Sequence, residues 1–306
     1  MRLGAGPVGR RWGIIVPMGC RRTIGGVLTA LSLASAPAAL AAGPFDRQPD
    51  PAELVSMRLA LQESALTPGA TTMLAVVFDI EPGWHLYWKN PGDTGMPIAL
   101  RSIETPPGVE VEKVFWPAPE RYAHTGLVDY IYEDQAVLLL RLRTSPAAKP
   151  DQGEIRVRAE WLVCREACLP GSGSADMPVR ILPVGGVPKW NRADSRVFES
   201  ALARLPMPPE VDPKAGVAAA WDGHTLVLTA KGADRLTWFP DEPYDAPPAD
   251  ALRDGSGAGG TLRVAYDDRA RDFTRFTGVL AVERDGRTRW YTIETTGPGG
   301  ASPVGP

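Results

Sequence analysis

Proline and glycine occur so often in this chain that long helices are excluded over most of its length. The 306 residues include 31 prolines and 32 glycines, without a repeating period. Between them lie short apolar runs of about five to ten residues, many with alternating polar and apolar side chains, a pattern typical of β-strands joined by turns. We predict strands over residues 54–63, 71–80, 84–88, 98–103, 109–116, 127–132, 137–142, 155–163, 177–182, 217–220, 226–230, 235–239, 261–265, 277–283 and 289–294.

Strands at this spacing without intervening helices predict an all-β fold, an immunoglobulin-like antiparallel β-sandwich followed by a second, smaller β-sandwich. We expect the first sandwich over residues 44–183 and the second over 214–296. Residues 184–213 read as a linker with one helix over 192–205, since Val197, Ala201 and Leu205 are spaced for one helical face. Residues 297–306 are expected to be a disordered tail.

The N-terminal segment has the composition of an export signal. Residues 1–41 hold five arginines and no acid, followed by an apolar run over 24–40 and the small residues Ala39-Leu40-Ala41. This is the pattern of a cleaved secretory signal peptide, and a retained membrane anchor is the weaker alternative because Pro37 breaks a run that is too short to span a bilayer.

Charge limits the classes of partner. Removing the five signal arginines from 33 basic residues leaves 28 against 36 acidic ones, a net charge of −8. So acidic a chain is a poor candidate for binding nucleic acid. We find no second apolar stretch that could span a membrane, so we expect the mature chain to be exported and soluble in an oxidising compartment.

The expected cleavage removes Cys20 and leaves one cysteine pair, Cys164 and Cys168. A disulfide stores two electrons, and exchange needs one thiolate that attacks and a second sulfur close enough to release the mixed disulfide. We expect the pair just past the end of the strand at 155–163, where Gly171-Ser172-Gly173 opens a loop. Three readings stay open: a redox pair, a structural disulfide, and a Cu(I) site completed by His85 or His124.

The aromatic residues are harder to assign from the sequence. Tryptophans in strands usually lie in the core, whereas the tyrosines are ambiguous. The segment 117–126 is long and irregular, and loops of this kind often cover a site. His224 lies beside a predicted turn and is most simply a surface residue. The sequence has no Gly-x-Ser-x-Gly, His-Glu-x-x-His, phosphate-binding glycine loop or Cys-x-x-Cys, and we expect no cofactor and no metal.

Three motifs occur in the order of a known family. They are Gly83-Trp84-His85-Leu86-Tyr87-Trp88-Lys89-Asn90-Pro91-Gly92-Asp93-Thr94-Gly95, Trp116-Pro117-Ala118-Pro119-Glu120-Arg121 and Trp161-Leu162-Val163-Cys164-Arg165-Glu166-Ala167-Cys168-Leu169-Pro170. Residues 54–182 thereby resemble the periplasmic N-terminal region of the DsbD-like thiol-disulfide interchange proteins, specifically the ScsB-like branch associated with copper tolerance. The second sandwich looks like the additional domain of that branch.

The resemblance implies that Cys164 and Cys168 are the redox pair, with Cys168 forming the mixed disulfide and Cys164 resolving it. It also implies a cap over the pair, formed by 122–126 or 129–132. The residues expected to cap or line the site are Tyr87, Tyr122, His124, Tyr130 and Tyr132.

Members of this family carry a transmembrane electron conduit and a thioredoxin-like domain that this sequence lacks. We therefore expect a periplasmic module of protein-disulfide reductase type. Its expected partners are a separately encoded membrane electron donor or thioredoxin-like protein, and exported substrate proteins. The alternative is a non-enzymatic copper-tolerance or protein-binding module with a structural disulfide.

Overall fold

The computed structural model describes residues 49–241, 250, 254–272 and 274–298. The expected signal peptide at 1–41 and residues 299–306 of the expected tail lie outside this range. Within the described part of the chain, no helix is both long enough and apolar enough to cross a membrane.

Most of the described residues lie in strands, as the frequent prolines and glycines predict. A short helix α1 (Pro51–Leu54) precedes the first strand, and α2 (Ser195–Ala203) lies in the middle of the chain. The strands are β1 (Val55–Leu61), β2 (Thr71–Ile80), β3 (His85–Gly92), β4 (Ala99–Glu104), β5 (Val109–Phe115), β6 (Glu120–His124), β7 (Leu127–Glu133), β8 (Gln135–Thr144), β9 (Asp151–Cys164), β10 (Cys168–Ile181), β11 (Ala218–Asp222), β12 (Thr225–Thr229), β13 (Arg235–Pro240), β14 (Ser256–Ala258), β15 (Thr261–Ala265), β16 (Phe276–Arg284) and β17 (Arg287–Thr295).

Strands β1 to β10 form an antiparallel, immunoglobulin-like β-sandwich, which confirms the predicted fold class. One sheet has the order β1-β2-β8-β5, and the other has the order β10-β9-β3-β7-β6, with β4 pairing on β9. Side chains that alternate along each strand fill the space between the sheets, among them Leu74, Val76 and Phe78 of β2 and Trp161 and Val163 of β9. Their burial is the main stabilising contribution to this half of the chain.

The strand β2 is apolar on both faces because a helix covers the outer one. Val77 points away from the sandwich core and packs with Phe198 and Ala201 of α2. The helix predicted over 192–205 is found at Ser195–Ala203, after a 3₁₀ turn at Arg192–Asp194.

Strands β11 to β17 form the second, smaller sandwich. Its sheets have the orders β11-β12-β15 and β14-β13-β16-β17, and the turns after Asp222 and at Asp285-Gly286 close two-residue hairpins. Phe239 of this half belongs to the core of the first sandwich, where its ring lies 5.2 Å from that of Tyr130. The side-chain amide of Asn90 donates to the Pro240 carbonyl at 2.9 Å.

Two expectations about the site region were wrong. Gly171-Ser172-Gly173 is not a loop, because β10 begins at Cys168 and runs through it in register with β9. The segment 117–126 contains strand β6, which turns at Thr125 and Gly126, both with positive φ, and pairs with β7. It is therefore a tight hairpin, of the kind that residues with positive φ favour.

Candidate redox site

The two cysteines lie at the tip of the long β9–β10 hairpin. Cys168 is the register partner of Cys164, their Cα atoms are 4.1 Å apart, and their sulfurs form a disulfide. The three residues between them make the turn, in which the Arg165 N–H donates to the Ala167 carbonyl at 3.2 Å. The site is thus a disulfide at the tip of two strands that pair continuously from Cys164 and Cys168 to Asp151 and Ile181.

Two glycines allow this hairpin to stay flat beside a tryptophan. Trp161 of β9 lies across Gly171 and Gly173 of β10, and a Cβ on either glycine would approach the indole ring to within 2.9 Å. Real Cβ atoms do not approach other atoms so closely, so the absence of a side chain at these positions lets β10 pair with β9 up to Cys168. The glycines that suggested a loop are required here for cross-strand packing.

The two sulfur-bearing residues differ sharply in exposure. Cys164 is only 2% exposed, whereas Cys168 is an exposed residue. Cys164 belongs to a small apolar cluster with Tyr87 and Ile131, against which the half-buried Leu162 packs. Cys168 therefore lies at the protein surface, while Cys164 faces the protein interior.

Arg165, at the turn, is held by an aromatic ring. Its guanidinium lies 4.8 Å from the centroid of the Trp84 ring, a cation–π geometry. Glu166 beside it is exposed. The cationic side chain nearest in sequence to Cys164 is therefore anchored on Trp84, at the start of the first family motif.

Tyr87 brings a hydroxyl group to the disulfide. Its oxygen lies 3.8 Å from Cys168 Sγ and 3.3 Å from His85 Nε2. Burial raises the pKa of Tyr87, so this hydroxyl keeps its proton at neutral pH and can donate it. Gly95 lies directly against the Tyr87 ring, where a Cβ would overlap the ring carbons, so the last glycine of the Pro91–Gly95 loop leaves room for the tyrosine.

A row of aromatic rings leads away from Tyr87. The His85 ring is 5.5 Å from the Tyr122 ring, and the Tyr122 ring is 4.8 Å from that of His124. Tyr122 is 37% exposed, so the β6–β7 hairpin forms the solvent edge of the row. The far end is fixed because His124 Nε2 lies 3.0 Å from Asp129 Oδ2.

Asp129 is a buried carboxylate that ties the site to the loop after β3. It is 1% exposed, and it accepts hydrogen bonds from the Thr94 backbone N–H at 2.8 Å and the Thr94 hydroxyl at 2.6 Å. A carboxylate so deeply buried is tolerated only because several donors satisfy it. Residues 90–95 of the first motif therefore contain the segment that binds Asp129, because Thr94 donates both of these hydrogen bonds.

The structure brings together three of the five expected lining residues: Tyr87, Tyr122 and His124. Tyr130 and Tyr132 do not line the site, and this part of the expectation was wrong. Strand residues alternate between faces, and Asp129 and Ile131 take the site face of β7. Tyr130 and Tyr132 point into the core, where the Tyr132 hydroxyl donates to the Pro117 carbonyl at 2.6 Å.

From the sequence, His85 is expected only as a possible Cu(I) ligand and Asp129 only as the first residue of the possible cap 129–132, and neither is counted among the lining residues. Their signal was present: His85 is two residues from Tyr87 on a strand, and Asp129 precedes Ile131 by two. No cluster of three His, Cys, Asp or Glu side chains suited to a metal occurs among the described residues.

Comparison with known proteins finds a family model that matches part of the chain. The family model described as thiol:disulfide interchange protein DsbD, N-terminal, matches residues 52–178. The N-terminal periplasmic domain of ScsB from Proteus mirabilis is similar in fold, with 16% identity, a TM-score of 0.51, and coverage of 79% of this chain and 92% of that one. The reduced DsbD N-terminal domain of Neisseria meningitidis aligns with 46% of this chain and 94% of its own, at 12% identity and a TM-score of 0.26. No curated protein sequence matches the chain.

Proposed function

Because residues 52–178 form a DsbD-like N-terminal domain, we propose that this protein exchanges electrons with partner proteins through the Cys164–Cys168 pair. One observation carries the proposal: an exposed sulfur residue and a buried one are joined at the tip of the β9–β10 hairpin. Exchange requires one sulfur that a partner can reach and a second that stays within bonding distance.

The exposure of the two cysteines supports a division of roles. In the reduced protein, the Cys168 thiolate attacks one sulfur of a partner disulfide, and the partner's other sulfur leaves as a thiolate. The Cys164 thiolate then attacks Cys168 Sγ, which restores the intramolecular disulfide and releases the partner's second thiolate. Two electrons pass to the partner, and the two protons lost by Cys164 and Cys168 balance those taken up by its thiols.

Restoring the reduced pair takes the same steps in reverse. A dithiol carrier of thioredoxin-like type attacks Cys168 Sγ, Cys164 leaves as the thiolate, and the carrier's second thiolate releases the mixed disulfide. We propose that this carrier is part of, or is served by, a separately encoded membrane protein, and that the acceptors are exported proteins in the periplasm. The family match and the expected signal peptide support this placement.

We further propose that residues 44–183 are the redox domain, that 184–213 link it to 214–296, and that the second sandwich is a rigid support. The Phe239 ring in the first core and the bond between Asn90 and Pro240 favour a fixed arrangement of the two. An ion pair between Lys89 and Asp241, at 2.8 Å, lies at the same junction.

Equilibration with glutathione buffers tests whether the pair is redox-active or structural. Alkylation of free thiols followed by mass measurement gives the reduced fraction at each buffer potential. We expect a midpoint clearly above about −300 mV, since disulfides that resist reduction lie below that value. A midpoint potential below about −300 mV would identify the bond as a structural disulfide. The Cys164→Ser, Cys168→Ser double variant provides the zero-thiol baseline.

A further inference from the structure

The Tyr87 hydroxyl has one proton and three polar neighbours: Cys168 Sγ, His85 Nε2 and the Thr94 side chain, whose hydroxyl donates to Asp129. Cys168 Sγ lies 3.8 Å from the oxygen on one side, and His85 Nε2 lies 3.3 Å from it on the other. A hydroxyl group donates one hydrogen bond at a time. Its direction therefore depends on whether His85 Nε2 carries a hydrogen.

The geometry points to His85 as a positioning residue that decides whether Tyr87 donates its hydrogen bond to the sulfur of Cys168. The inference assigns the hydrogen of the uncharged ring to Nδ1, so that Nε2 accepts the hydrogen bond of the Tyr87 hydroxyl and Cys168 receives none. Protonated, His85 can only donate, so it bonds to the Tyr87 oxygen and the hydroxyl proton turns to Cys168. This inference rests on the proposed function, because the receiving sulfur is the one assigned to attack partners.

The surroundings of His85 hold its ring in place for this role. It is 6% exposed, it lies at an edge-to-face angle of 78° to the Tyr87 ring, and its register partners on the neighbouring strands are Cys164 and Glu133. The centroid of the Tyr122 ring lies 5.5 Å from that of the His85 ring. The titratable and charged groups around His85 on the elements packed against it are Tyr87, Tyr122, His124, Asp129, Glu133, Cys164 and Cys168.

Burial of His85 sets the pH range in which its ring becomes protonated. Burial lowers the pKa of His85 below its ordinary value of 6.5, the Asp129 carboxylate opposes this shift, and His124 adds to it. At neutral pH the ring is therefore uncharged, and acidification protonates it. A hydrogen bond donated to a thiolate stabilises the charged form of the sulfur, so protonation of His85 should lower the pKa of the Cys168 thiol.

The reaction rate of Cys168 with iodoacetamide, measured from pH 4.5 to 9, tests this inference. The experiment uses the full chain with Cys164→Ser, so that Cys168 is the thiol that reacts at this site, and circular dichroism checks the fold at each pH. We expect a second inflection below pH 6.5, where the rate exceeds that extrapolated from a single ionisation by about tenfold, the effect of one charge-assisted hydrogen bond. The same background with His85→Phe should follow a single ionisation.

Two further variants separate the relay from simpler effects. Tyr87→Phe keeps the ring but removes the hydroxyl, and should reduce the inflection to less than about threefold. A full-size inflection in Tyr87→Phe would mean that His85 acts on the sulfur through space, which would overturn the relay. Tyr130→Phe is the matched control, because its hydroxyl lies on the other face of the sheet and should leave the wild-type profile unchanged. His85→Gln, which cannot ionise, should also lack the inflection and serves if the phenylalanine variant does not fold.

The inference and the proposed function fail in different ways. An inflection that depends on Tyr87 in a protein that forms no mixed disulfide would support the relay and overturn the exchange function. Mixed-disulfide formation with a wild-type profile that follows a single ionisation would retain the exchange function and overturn the relay.

Discussion

Cys164 and Cys168 face each other across the β9–β10 hairpin with 4.1 Å between their Cα atoms, yet Cys164 is buried and Cys168 is exposed. The pair is therefore asymmetric with respect to an approaching protein. This asymmetry agrees with the roles that the family resemblance implies, attack by Cys168 and resolution by Cys164.

The asymmetry predicts unequal reactivity after reduction. Treated with a bulky maleimide, reduced protein should be labelled at Cys168 at least about tenfold faster than at Cys164, since accessibility limits the rate of a buried thiol. Peptide mass spectrometry at short times would measure the ratio, and the same comparison in urea serves as the control, where the ratio should approach one. Equal labelling in the folded state would contradict the assignment of roles.

The contact between Trp161 and the glycines of β10 predicts a local steric requirement. Gly171→Ala should destabilise the protein by roughly 1–3 kcal/mol, because the added methyl group overlaps the indole ring. Ser172→Ala, at an exposed position between the two glycines, should change the stability by less than about 0.5 kcal/mol. Urea denaturation followed by tryptophan fluorescence measures both, and equal effects would show that the packing does not require glycine.

The buried Asp129 carboxylate predicts a second sensitive position. Asp129→Asn should cost roughly 1–3 kcal/mol, because the amide group cannot accept hydrogen bonds at both of its heavy atoms from the Thr94 N–H and hydroxyl. Glu133→Gln, an exposed acid on the same strand, is the matched control and should be near neutral. A thermal melt of each variant distinguishes the two outcomes, and a stable Asp129→Asn protein would show that this network adds little.

The lowered pKa of His85 predicts how stability depends on pH. The unfolded chain binds a proton on this residue more readily than the folded one, so its contribution to stability is fully present above about pH 6.5. This contribution to the free energy of unfolding is lost as the pH falls from about 6.5 through the lower pKa of His85 in the folded state. The urea midpoint of unfolding is measured between pH 5 and 8 for both proteins. On the acidic side, the midpoint of His85→Gln should fall less steeply with decreasing pH than that of the wild type. Parallel curves would mean that burial of His85 does not affect the titration.

The junction of the two sandwiches predicts coupled unfolding. Phe239→Ala should destabilise the protein by roughly 3–5 kcal/mol, because this ring from the second half packs on Trp88 and Tyr130 in the core of the first. Val211→Ala, at a position 69% exposed, is the control and should have little effect. Differential scanning calorimetry should show one transition for the wild type, and two separate transitions would contradict a shared core.

Most strands are predictable from the sequence because alternation and turn residues are local signals, but β6 and β14 are not among the predicted strands, and β10 begins at Cys168 and not at residue 177. Prediction from the sequence fails where a residue's role depends on a neighbouring strand. Gly171 and Gly173 have the composition of a loop, and only the pairing of β10 with β9 shows that Trp161 requires them. Nothing in the sequence says which face of β7 meets the site, so only the structure shows that Asp129 lies on that face while Tyr130 and Tyr132 point into the core.

The direct test of the central claim is whether Cys168 forms a mixed disulfide with a thioredoxin-like dithiol protein. The reduced Cys164→Ser variant is mixed with a thioredoxin-like protein whose resolving cysteine is replaced by serine and whose remaining cysteine carries thionitrobenzoate as a mixed disulfide. The Cys168 thiolate should displace thionitrobenzoate and form a covalent one-to-one adduct that is stable without reductant, because no second thiol is present to release it, and that dithiothreitol cleaves. Cys168→Ser, treated identically, should accumulate little, because its remaining sulfur is buried. Adduct formation in neither variant, or preferentially through Cys164, would contradict the account.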